Sequence, residues 1–146
     1  MNEQPVISLD GYLRSLRRLS GNRCDYWAEV IEVDDNLEDC FKKYLGALQV
    51  KFIDSSTAGY REIDSLFEAE FQSSLRFQDE DLIKLFVWDI VEYIQMTYQE
   101  LEPVIDPIHE KKALIITANS EHHGNFRYLV VPVENKVIVI GLATRT

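Results

Sequence analysis

Cysteine and histidine are scarce in this chain, and long apolar runs are missing altogether. The 146 residues include two cysteines, Cys24 and Cys40. The start, Met1-Asn2-Glu3-Gln4-Pro5, lacks the basic flank and apolar core of a signal peptide, so a cytoplasmic protein with two buried free thiols is expected. Nothing approaches the roughly 18 consecutive apolar residues of a membrane span, which argues against a membrane partner. The three histidines are His109, His122 and His123. His122 and His123 are neighbours in a turn, where adjacent side chains diverge, and the paired spacings of a zinc site are absent. Asp54-Ser-Ser-Thr-Ala-Gly59 holds one glycine and no following Gly-Lys-Ser/Thr, so it is no phosphate cradle. The nucleophile elbow, the dinucleotide fingerprint and the calcium loop are missing too. No metal, cofactor or enzymatic activity is therefore expected.

Basic residues are also few. The chain has 15 Lys and Arg against 25 Asp and Glu, a net charge of −10. Residues 1–24 carry +2 and residues 111–146 carry +3, while 25–110 hold 21 acids against six bases, or −15. Such a field repels nucleic acid and attracts cationic proteins. Acidity that merely keeps a cytosolic protein soluble would look the same in composition. With 46% hydrophobic and 11% aromatic residues the chain is globular, and its length is that of a single domain, 1–146.

The pattern predicts helices first and strands second. Ser8 can cap a first helix whose stripe is Leu9, Tyr12, Leu13, Leu16 and Leu19, with Gly21 as its stop. Arg14, Arg17 and Arg18 lie largely off that stripe, as a solvated face or as partners of the acidic middle. Residues 25–33 suit a strand by their β-branched and aromatic content, while the spacing of Trp27, Val30 and Ile31 also permits a helical turn. Asp34, Asp35 and Asn36 introduce a helix over 37–49, with Glu38 and Asp39 in its first turn where the dipole favours them. Residues 54–59 read as a polar connection. A helix over 61–77 follows, buried through Ile63, Leu66, Phe67, Phe71, Ser74 and Leu75.

Asp79 starts the longest helix, which runs to Leu101 and stops at Glu102-Pro103. At about 100° per residue, Glu80, Asp81, Lys84, Glu92, Gln95, Gln99 and Glu102 gather on one polar arc. Two residues break the pattern. Trp88 projects from the middle of the polar arc, and Asp89 lies beside the apolar side near Leu82, Leu85 and Met96. An exposed Trp among carboxylates has the form of an interface anchor; a covering loop or the Arg-rich first helix would equally hide it. Asp89 reads as a paired carboxylate, since spacing places no second acid or His beside it.

Runs at 112–118, 126–133 and 137–142 form an antiparallel meander, with turns at 119–125 and 134–136. Both faces of the Val130–Ile140 hairpin are apolar, which puts it in the middle of the fold, and Pro132 marks an edge or bulge. The expected fold is α+β, with N-terminal helices packed on a C-terminal antiparallel sheet of three to four strands. Self-pairing of an exposed edge near 112–118 would give a weak homodimer; otherwise the chain is a monomer. Glu121, His122 and Arg127 could cluster at the hairpin tip, and with Asp89 they carry the alternative of a small hydrolase.

In length, in the −15 middle, in the lone Trp88 on a carboxylate arc and in its lack of catalytic motifs, the chain resembles small bacterial immunity proteins. These belong to contact-dependent growth inhibition and related polymorphic toxin systems. The resemblance implies a cytosolic antidote that neutralises a cognate basic toxin domain, often a nuclease, by blocking its active site or substrate groove. On that expectation Trp88, Asp79, Glu80, Asp81 and Glu92 form the partner-binding face, with Asp34, Asp35, Glu38 and Asp39 as a second patch. A regulatory or adaptor subunit would show the same acidity.

Overall fold

A computed structural model describes residues 3–33, 36–48, 50–76, 79–97, 113–120, 124–133 and 136–144. In chain order the elements are α1 (Gln4–Ser15), a 3-10 helix (Leu16–Ser20), β1 (Cys24–Glu32), α2 (Leu37–Ala47), β2 (Lys51–Ala58), α3 (Tyr60–Ser74), α4 (Glu80–Met96), β3 (Ala113–Ser120), β4 (Gly124–Val133) and β5 (Lys136–Thr144). The strands form one antiparallel sheet in the order β1-β5-β4-β3-β2.

The α+β class stands, but the sheet has five strands among the described residues, not three to four. The two extra strands come from the N-terminal half and flank the C-terminal meander on both sides. The ambiguous segment 25–33 is a strand as far as Glu32, the end of β1. Residues 54–58, expected as a polar connection, are the greater part of β2. Ser8 is no cap: α1 begins at Gln4, with Pro5 in its first turn, where a missing N–H costs nothing. The Gly21 stop does hold, at φ 69° with its N–H turned back onto the Arg17 and Arg18 carbonyls.

Alternation along β4 and β5 divides the core in two. Leu129, Val131, Val133, Ile138, Ile140 and Leu142 face α1, α3 and α4. Tyr128, Val130, Val137 and Val139 face α2, which seats Phe41 and Leu45 on them. With both faces covered, the central hairpin has no polar side, as its sequence indicated. Pro132 lies past the last described pair with β3, Leu114 with Val130, where its missing N–H removes no bond of that ladder.

The edges are β1 and β2, so the expected self-pairing edge at 112–118 is instead an internal strand. Each edge is blunted in its own way. On β1, the Ala28 N–H donates to the Asp10 carboxylate at 2.9 Å and the Cys24 N–H to Ser20 Oγ at 3.2 Å. On β2, the register slips between Phe52 and Asp54, and the Asp54 carboxylate takes the Ser55 N–H at 2.8 Å.

Gly141 pairs with Trp27 across β1 and β5, and the indole lies over its backbone. A Cβ at position 141 would sit 2.2 Å from Trp27 Cζ2. The indole is itself held, since its Nε1 donates to the Tyr44 hydroxyl at 3.2 Å and its ring meets Tyr128 edge-on at 6.0 Å. Gly141→Ala should therefore cost about 1–3 kcal/mol, the range for overpacking a core that cannot yield. Urea denaturation checks this; an unchanged midpoint would show that Trp27 is not locked in place.

Candidate functional site

Helix α4 buries Ile83, Val87, Ile90, Val91 and Ile94 against α3, α1 and the sheet. Asp79 caps it, its carboxylate accepting the N–H groups of Asp81 and Leu82 at 3.1 and 3.2 Å. Glu80 and Asp81 occupy the first turn, where the helix dipole favours acids. Three of the five residues expected on this face thus have a structural role as well. Glu92, about three turns further along the exposed side, has none of that explanation.

Trp88 is 68% exposed, the most exposed large hydrophobic side chain among the described residues. It does not stand alone. Leu85 and Met96 are 52% and 36% exposed, and at helical spacing Asp81, Leu85, Trp88, Glu92 and Met96 make one stripe opposite the buried one. The sequence pattern assigned Leu85 and Met96 to the apolar, inward side of the helix. That was an error of width: the buried stripe is narrow, because α4 is covered from one side only. A stripe of three large apolar groups interspersed with two carboxylates is more than the isolated Trp that the sequence showed.

Asp89 is accounted for. The Tyr12 hydroxyl of α1 donates to its Oδ2 at 2.8 Å, and the Tyr12 ring packs against Phe86 and Tyr93. The carboxylate therefore helps fix α1 on α4, as its position beside the apolar side suggested.

Of the second acidic patch, Asp39 alone has a described side chain. Asp39 is exposed on α2, and α2 packs on the opposite face of the sheet from α4. Asp34 and Asp35 lie outside the described residues, as do His109, Glu121, His122 and His123. Glu38 lies in α2, but its side chain is outside the description. Arg127, the remaining member of the hairpin-tip cluster, is exposed on β4. Of the N-terminal arginines, Arg14 pairs with Asp10 within α1, and Arg17 lies 3.3 Å from Asp25. Among the described residues no three metal-ligating side chains cluster, and no helix is long and apolar enough to cross a membrane.

No family model matches this chain, and no curated protein does either. The functional reading therefore rests on surface chemistry.

Behind α2 the packing is aromatic. Tyr128 meets Phe41 edge-on at 5.5 Å and stacks beside Phe126 at 6.2 Å, and the Tyr44 hydroxyl donates to Glu29. The Tyr128 hydroxyl is buried with no hydrogen-bond partner among the described residues. Burial pushes the hydroxyls of Tyr12, Tyr26, Tyr44 and Tyr128 above the ordinary tyrosine range; Asp89 adds to this at Tyr12, and Glu29 at Tyr44 and Tyr128. The unfolded chain ionises the same groups near pH 10 (about the free tyrosine value), while the fold holds them neutral. Stability should thus be intact below about pH 10 and fall as the pH rises beyond it. Urea midpoints taken from neutral to strongly alkaline pH test this, and Tyr128→Phe should make the fall less steep. A midpoint that holds level through the alkaline range would contradict it.

Proposed function

We propose that this chain is an immunity protein: an inhibitor that binds and neutralises a cognate basic toxin domain, a nuclease by preference, through the outer face of α4. The observation that carries the reading is the exposure of Trp88 between Leu85 and Met96, flanked by Asp81 and Glu92. A large aromatic group left in water at the centre of an apolar stripe gains about 2 kcal/mol or more when a partner pocket takes it up. The carboxylates around it select a cationic partner and fix its approach. The net charge of −10 adds long-range steering toward such a partner and imitates the phosphates that a nuclease groove accepts. Asp39 lies on α2, across the sheet from α4, so it belongs to this general field and not to the footprint. The chemistry is one of occlusion, with no bond made or broken.

A tagged pull-down from the native organism, washed at about 50 mM and about 500 mM salt to bracket weak and strong screening, tests the reading. The expected result is one basic toxin-like protein at stoichiometric yield, with association slowed by salt. Trp88→Ala should weaken that complex by about 30-fold or more, chiefly through faster release, with the urea midpoint unchanged. Recovery of a neutral housekeeping protein would replace this reading with an adaptor role. A complex indifferent to Trp88→Ala would move the interface off α4.

A further inference from the structure

The exposed groups of α4 are spaced along its whole length. Leu82, Leu85, Trp88 and Met96 are its exposed large apolar residues, and Leu82 and Met96 stand about 21 Å apart at 1.5 Å per residue. Asp81, Leu85, Trp88 and Glu92 follow at intervals of four, three and four residues, the seam spacing of helices packed side by side. On one flank α1 comes alongside, where Tyr12 binds Asp89. On the other flank, at about 100° per residue, lies Lys84, the one base of the helix. The side-chain carboxylates of Asp81 and Glu92 have no partner among the described residues; Asp81 is held through its backbone N–H by Asp79.

The shape of this band selects its occupant. A loop or a single pocket takes one anchor and leaves the rest of the band wet. An added strand needs unpaired backbone, and the backbone of α4 is spent within the helix. A second helix meets the whole band, its side chains entering the spaces between Leu82, Leu85, Trp88 and Met96. A second copy of this chain is a poor source of that helix. α4 against α4 would bring together two sets of four acids and one lysine, on chains of net charge −10.

We infer, resting on the reading of α4 as the partner-binding face, that the partner docks through a basic amphipathic helix laid along α4. Trp88 sits in a hole between side chains of that helix, whose apolar side covers Leu85 as well. Asp81 and Glu92 are about three turns apart, so the docking helix carries Lys or Arg at a matching separation.

The probe is a synthetic peptide of about five turns, held helical by a hydrocarbon staple, with Leu at seam spacing and two Lys about three turns apart. A second stapled peptide has the same composition with its Leu residues spread around the helix. Each is titrated calorimetrically into the full chain, with backbone amide shifts recorded. Saturable one-to-one binding of the first is expected, with shifts confined to α4 and the adjoining α1, and affinity about tenfold above the second. Glu92→Lys, on an exposed side chain, should weaken it about tenfold with the urea midpoint unchanged, and a peptide with Glu for the facing Lys should restore it. Absence of saturation, equal binding of the two peptides, or shifts centred on α2 and β2 overturns the docking helix. The face itself is judged separately, by the complex captured from the native organism. If that complex weakens on Trp88→Ala while the two peptides bind alike, the face stands and the helix falls. If the complex is indifferent to Trp88→Ala, the face falls and the helix with it.

Discussion

Residues 128–133 and 137–140 have no polar face to offer water, and this constraint organises the rest of the molecule. A sheet whose central strands are apolar on both sides needs a layer on each side. The chain supplies α1, α3 and α4 for one face and α2 for the other, and α2 is delivered by the connection from β1 to β2 across the full width of the sheet. The need for this crossover explains why the first two strands sit at opposite edges. β1 and β2 close the meander from both sides, so its apolar strands are never at an edge. The edges themselves carry Asp10, Ser20, Asp54 and a register slip, which discourage pairing with a further strand.

What could be read in the sequence follows from how each element is buried. β3, β4 and β5 are Val- and Ile-rich because they are internal, and a run with two covered faces announces itself. α3 was legible for the same reason, since its inward residues recur at helical spacing. β2 was not. Its residues 51–57 are all exposed, so it has no buried side to write a period into Lys51-Phe-Ile-Asp-Ser-Ser-Thr57. Pairing with β3 is fixed there by backbone bonds, which leave little trace in composition. β1 was half-legible, because Trp27, Val30 and Ile31 obey both periods and only the partner strand β5 decides between them. Ser8 misled because a good capping residue near the start of an apolar stripe says nothing about turns that precede it, and Pro5 was the better marker.

The candidate face shows the same division. The helical angle alone set Trp88 among carboxylates, and the side chain is indeed open to water. Leu85 and Met96 were assigned inward because apolar residues are assumed to fill an inward arc of generous width. α4 packs through a narrow one, so the surplus stays outside. The reverse holds for Asp89, a charge on the wrong side that Tyr12 satisfies from 77 residues away. No rule of spacing finds a partner at that separation, although the misplaced charge itself signals that one is required.

Acidity in this chain is not one property but several. Asp79, Glu80 and Asp81 stabilise the start of α4; Asp10 caps an edge strand; Glu29 accepts from Tyr44; Asp89 ties α1 to α4. These carboxylates would be placed where they are in a protein with no partner at all. Glu92 is different, since it lies far from the helix start and beside Trp88. On the proposed reading, specificity at close range therefore rests on few groups, Trp88 with Leu85, Met96 and Glu92, while the remaining charge acts at a distance as net field. The two contributions separate in kinetics: the field governs how fast a basic partner arrives and fades with salt, and the stripe governs how long it stays.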